Sequence, residues 1–213
     1  MKYLFISILA TIIISCSGGQ ITIFKETNFG KEDFSNKNII VTPLTGEWIF
    51  VGKESSFYDF PEAHLYTRAF INKLKELRPC INIVVQSRLD YSAPDLERTM
   101  NLKKYCFNKM SREDSAYFHD LSITFDADYL IFFESVEFFT AQKEVYQVQI
   151  GQKESKLIIQ LWDLKKCKMV YRVQTKGDGL NIKQLLIDDS STEAVENSFE
   201  EYIESLPICA QNL

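Results

Sequence analysis

Apolar and polar positions fall into blocks along this chain, and each change of period marks an element. Residues 3–14 are almost wholly apolar behind the basic start Met1-Lys2, and small polar residues, Ser17-Gly18-Gly19-Gln20, follow Cys16. The apolar run is shorter than the ~18–20 residues of a membrane span, and its layout is that of a secretory signal over residues 1–15. Residues 16–37 then read as a polar tether, broken only by the brief apolar run Ile21-Thr22-Ile23-Phe24. A single folded domain is expected over residues 38–213, opening with Ile39-Ile40-Val41, a buried strand closed by Pro43 and Gly46.

Downstream the period lengthens. Ala63, Tyr66, Phe70, Leu74 and Leu77 recur at helical spacing behind Pro61 and Glu62. Arg78-Pro79 stops this helix, because the residue before a proline is pushed out of the helical region. The β-branched run from Ile81 to Val85 predicts a buried strand, and residues 90–100 a second helical stretch through Leu96 and Met100. Ser111 with Asp114 three residues on has the pattern of a capping box and starts a helix through Tyr117 and Leu121. A long strand opens at Asp128 and runs through Phe133, Val136 and Phe138. Residues 157–163 and 169–173 are apolar strands around the short polar loop 164–168, a β-hairpin. Ser191 or Thr192 caps a last helix with Val195, Phe199 and Ile203 on one face, ended by Pro207. The order is β-α-β-α-β, then a β-hairpin and a C-terminal helix: an α/β chain whose mixed sheet is covered by helices.

Composition narrows the function classes. Hydrophobic residues make up 46% of the chain, the proportion of a globular domain. The formal net charge is −5, which argues against a nucleic-acid partner, since that would demand a basic face. Ile13-Ile14-Ser15-Cys16 resembles the bacterial lipoprotein lipobox: an aliphatic residue, a variable one, a small one, then cysteine. The resemblance implies lipidation of the Cys16 thiol, cleavage before it, and a membrane partner reached through that anchor, with palmitate as label. Ser17 after the cysteine resembles outer-membrane sorting in enteric bacteria, so the expected location is the outer membrane, on its periplasmic or surface face.

Lipidation of Cys16 leaves Cys80, Cys106, Cys167 and Cys209. An even set in an exported chain fits two disulfides, with buried free thiols as the alternative. In a right-handed βαβ unit Cys80 and Cys106 fall at one sheet end, and Cys167 and Cys209 share an end if one long strand precedes the hairpin. The expected pairs are therefore Cys80–Cys106 and Cys167–Cys209; a turn at Gly151 would weaken the second. No cysteine has metal-ligand spacing, so no metal or other cofactor is expected.

Catalytic signals are sparse. GxSxG, HExxH, GxxxxGK[ST] and GxGxxG are all missing. His64 and His119 each sit in a predicted helix, where an exposed histidine is the common case. Asp126-Ala127-Asp128 puts two carboxylates on one strand face, but an acidic strand start is also simply solvated; Asp188-Asp189 precede the last helix, where anions complement its dipole. The apolar loop holding Trp48, Ile49 and Phe50 is either an edge hairpin over the core or a partner surface, with the core favoured.

Three local features carry a wider resemblance. They are the strand–helix–strand run from Ile39-Ile40-Val41 through Phe70 and Leu74 to Ile83-Val84-Val85, the strand start Ala127-Asp128-Tyr129-Leu130-Ile131, and Leu161-Trp162-Asp163 before a tight turn and Met169-Val170-Tyr171. Together they resemble the TolB amino-terminal and CsgG-like group of bacterial envelope domains. That group implies a protein that oligomerises or docks onto envelope machinery. The expectation is a non-enzymatic binding or assembly accessory module, with an envelope protein partner or self-association. One alternative is a subunit of a CsgG-like secretion pore, whose membrane hairpin would be residues 134–160. There Gln142-Lys143-Glu144 and Gly151-Gln152-Lys153-Glu154 interrupt the apolar face, which favours a soluble sheet. The other is a hydrolase, which would need a pocket holding His64 or His119 beside a carboxylate.

Overall fold

The computed structural model describes residues 20–31, 33–42, 44, 47–50, 53–55, 63–85, 102, 110–145, 148–180, 189–207 and 209. Among them, strands β1 (Gln20–Lys25), β2 (Asn38–Val41), β3 (Glu47–Phe50) and β4 (Lys53–Ser55) precede helix α1 (Ala63–Leu77). Next come β5 (Asn82–Val85), α2 (Arg112–Thr124), the long strands β6 (Tyr129–Val145), β7 (Val148–Asp163) and β8 (Lys168–Leu180), and α3 (Asp189–Ser205). The strands form one mixed sheet in the order β1-β8-β7-β6-β2-β5, with β3 also on β6 and β4 on β3. The architecture is the mixed α/β one expected.

β2 is the pivot. Ile39, Ile40 and Val41 are all buried, as in a strand covered on both faces, and β2 runs parallel to β5 on one side and to β6 on the other. The chain thus crosses from β2 to β5 in one direction and from β5 to β6 in the other. Right-handed crossovers taken in opposite directions put their helices on opposite faces. Accordingly Phe70, Ile71 and Leu74 of α1 join Val195, Phe199, Tyr202 and Ile203 of α3 over Ile131, Phe133, Leu157 and Ile159. Phe118 and Leu121 of α2 pack with Leu102 and Met110 over Ile40, Leu130, Phe132 and Trp162 on the other face.

Ser111 caps α2 as expected, its hydroxyl accepting from the Asp114 amide at 3.1 Å. α1 stops at Leu77 before Pro79. α3 starts at Asp189, two residues before the expected cap. The helical stretch expected over residues 90–100 lies outside the described residues.

Two expectations need correction. The tether is, from Gln20 onward, part of the fold: β1 pairs antiparallel with β8, and Phe29 and Phe34 are buried. Phe29 stacks on Tyr171 and Phe34 on Tyr129, each at 4.8 Å, so two aromatic anchors hold the segment to the sheet. β6 and β7 are also longer than the apolar runs suggested. Their antiparallel register continues from Tyr129↔Asp163 to Val145↔Val148, passing Gly151 opposite Gln142, so Gly151 is inside a strand and not a turn. Backbone pairing carries the hairpin beyond the apolar runs of the sequence.

Candidate functional site

A cleft of 340 Å³ opens at the sheet end where β2 and β6 begin, lined by Asp33, Lys37, Asp128, Tyr129, Asp163, Lys165 and Lys166. Each carboxylate there already has partners. Asp33 accepts the Ser35 amide at 2.8 Å. Asp163 accepts the Lys166 amide at 2.9 Å and pairs with its ammonium at 2.7 Å, bracing a turn in which Cys167 takes a positive φ of 49°. Asp128 accepts the Asn38 amide at 3.1 Å and the Lys165 ammonium at 2.6 Å, with Lys37 at 3.8 Å.

The backbone of Asp128 works in the same knot, its amide donating to the Asn38 carbonyl at 2.8 Å and its carbonyl accepting from Leu164 at 2.9 Å. One residue thereby ties together the starts of β2 and β6 and the β7–β8 turn. Burial alone would raise the Asp128 carboxyl, but Lys165, the Asn38 amide and the Lys37 charge outweigh it and hold it below the usual range. An ionised, multiply bonded carboxylate among lysines is suited to holding chain segments in register, not to exchanging protons.

In open α/β sheets, ligands bind at the carboxyl ends of the parallel strands, beside a strand such as β2 where the order reverses. Among the described residues, the chain after β2 occupies the β6 side of that end. Beyond β2, the Thr42 amide and hydroxyl both donate to the Ile131 carbonyl at 3.1 Å, and Leu44 is fully buried with its amide on the Thr67 hydroxyl. The chain then runs on along β6 as β3, which is parallel to Ser135–Phe138 and forms an edge hairpin with β4. Trp48, Ile49 and Phe50 are thus strand residues of that hairpin, and their side chains lie outside the described residues, so core and surface readings both stand.

The other candidate residues are scattered. Cys16 and Cys106 lie outside the described residues, as does the side chain of His64. His119 is exposed on α2 and away from the cleft lining. Cys80 is bonded to Cys209, and Cys167 is a free thiol, which corrects both expected pairings. The reason is helix placement: α3 lies beside α1 on one face, bringing Cys209 to the end of α1, whereas Cys167 packs with α2 on the opposite face. Among the described residues no cluster of His, Cys, Asp and Glu could hold a metal ion, and no helix is long and apolar enough to cross a membrane.

A polar ladder on the α2 side was not anticipated. Arg172 of β8 donates twice to Glu134 of β6, at 2.7 and 2.8 Å, across Gln160 of β7. Gln160 donates to Glu134 at 2.8 Å and accepts from the Trp162 indole at 2.7 Å. Its signal was a polar residue inside each of three otherwise apolar runs: Glu134, Gln160 and Arg172.

No family model matches the sequence, and no curated protein matches it. Solved structures do resemble the fold. A PelC dodecamer from Paraburkholderia phytofirmans superimposes with a TM-score of 0.50 at 9% identity, over 90% of this chain and 99% of that one. Lipoprotein GNA1162 from Neisseria meningitidis gives a TM-score of 0.36 at 11% identity, over 70% and 86% of the two chains. The LpoB C-terminal domain from Salmonella enterica gives 0.34 at 12%, over 72% and 87%. At such identities the likeness to PelC is one of fold.

Proposed function

We propose that this chain is a lipid-anchored, non-enzymatic module of the bacterial cell envelope that binds or assembles other envelope components and works as a homo-oligomer. The observation that carries the reading is the fold likeness to a protein that is itself a dodecamer, extending over 99% of that subunit. The mutually paired charges of the cleft support a non-catalytic role. Anchoring rests on the lipobox resemblance at Cys16, and Ser17 after it supports an outer-membrane location, on the periplasmic or surface face.

The experiment is labelling of the expressed protein with radioactive palmitate, followed by membrane fractionation and cross-linking. Label and membrane association that vanish in Cys16→Ala, with a cross-linked ladder of the intact protein, support the reading. An unlabelled, monomeric protein contradicts it.

A second reading, a subunit of a CsgG-like secretion pore, is favoured by the β6–β7 pairing, which beyond a bulge at Glu134 runs unbroken from Ser135 to Val145 and so reaches the ~9–11 residues per strand that a bilayer needs. Against it, Lys143 stands opposite Ile150 and Glu154 opposite Phe139, which breaks the apolar band of a lipid-facing hairpin. Ion conductance across planar bilayers separates the two.

A further inference from the structure

We infer that the edge strand β1 lies against the bilayer that holds the lipid on Cys16, with Ile21 and Ile23 at the headgroup–acyl boundary. The inference rests on the anchored reading above and adds a second membrane contact to it. Four large hydrophobic residues are exposed among the described residues, and two of them, Ile21 at 59% and Ile23 at 36%, stand on this one short strand. A single exposed isoleucine needs no explanation, but a pair on an otherwise exposed edge strand is a hazard that proteins normally blunt with charge. β1 has a bulge at Ile23, between Thr22 and Phe24, but is not blunted by charge. No charged residue occurs between Lys2 and Lys25, so no charge on β1 before its last residue resists entry into a lipid interface.

The geometry supplies the occupant. β1 pairs with β8 along one edge, and among the described residues no strand covers the other. Gln20 follows Cys16 by four residues, which fully extended reach only ~14 Å. A lipid at Cys16 therefore keeps β1 within a headgroup layer's depth of the membrane surface, at a high effective concentration of bilayer. Burying two β-branched side chains there removes apolar surface from water without a deep insertion. The terminal Lys25 is exposed and suits the anionic surface of such a membrane.

The test uses the full-length lipidated protein in vesicles of phosphatidylethanolamine and phosphatidylglycerol, with and without brominated acyl chains. Ile21→Trp and Ile23→Trp are compared with Ile123→Trp on α2, after subtraction of the parent's emission, and circular dichroism verifies folding. The expected result is a blue shift and loss of emission with brominated lipid at positions 21 and 23, and neither at position 123. Lipidated, vesicle-bound protein with no quenching at either position overturns the inference and leaves the anchor intact. A blue shift indifferent to bromine, with the oligomer lost in Ile21→Glu, assigns the strand to a second copy and also overturns it. A mass showing unmodified Cys16 overturns both the inference and the anchored reading.

Discussion

Gly177 of β8 meets the backbone of α3 at Ala194 so closely that a methyl group on it would lie 1.9 Å from the Ala194 carbonyl oxygen and 2.6 Å from the Ser198 amide nitrogen. Ser155 on the adjacent strand donates to that same carbonyl at 2.7 Å and sits 2.7 Å from the Ser198 hydroxyl. The middle of α3 is therefore seated on the bare backbone of Gly177 and the small hydroxyl of Ser155. Gly177→Ala has no flexible side chain to push aside and should destabilise the fold by about 2–3 kcal/mol, the upper part of the overpacking range. Gly30→Ala, which would meet only the end of the Lys25 side chain at 3.4 Å, should change little. Urea midpoints of the two variants check the contrast.

The Glu134–Gln160–Arg172 ladder sets a second expectation. Both charged partners are about 15% exposed, so removing one leaves the other poorly solvated. Glu134→Ala should cost about 3 kcal/mol, as a broken, largely buried pair does, whereas Glu134→Ala combined with Arg172→Ala should cost less than the sum of the two single variants. A double-mutant cycle in urea measures the coupling.

Cys80 and Cys209 are joined across 129 residues with a Cα separation of 6.3 Å. Constraining so long a loop of the unfolded chain stabilises by about 2–4 kcal/mol, so Cys209→Ser should lose that amount under oxidising conditions and nothing further on reduction. Burial, with the nearby Asp163 charge, pushes the Cys167 thiol up, so at neutral pH it should alkylate slowly until the protein unfolds. Mass spectrometry after alkylation without reductant follows both.

Stability should depend on pH through Asp128 at the acid end and Tyr202 at the alkaline end. The folded Asp128 is held below its ordinary 3.8, so its contribution is complete well above that value and is lost as pH falls through the folded-state value. Tyr202 is fully buried and, chiefly through burial, raised well above 10.0, so its contribution is present below pH 10 and fades as pH rises beyond it. Asp128→Asn should close its stability gap to the parent in acid, and Tyr202→Phe should flatten the alkaline decline. Chemical denaturation across the pH range reads both slopes.

Legibility in the sequence followed burial. α1, α2, β2, β6 and the β7–β8 hairpin carry periodic apolar residues or a cap, such as Ser111, and were readable. β1 was not, because nearly all of its side chains are exposed; its order comes from backbone pairing to β8 and from Phe29 and Phe34, which anchor the chain just after it. The outer parts of β6 and β7 were legible as a soluble sheet but not in their register: Gln142, Lys143 and Glu144 interrupt the apolar alternation, yet a hairpin ladder needs only backbone partners. The Cys80–Cys209 pair depended on α3 choosing the α1 face, a long-range decision that no local pattern reports. Asp128 was visible as an acidic strand start, but its role required the β7–β8 turn to arrive beside it.

The central claim is that this is a self-assembling, lipid-anchored envelope module, and the most direct measurement is the native mass of the lipidated protein extracted in mild detergent, with Cys16→Ala as the unanchored control. The account predicts a discrete oligomer of many copies for the anchored protein. A monomer at all concentrations, with or without the anchor, would contradict it.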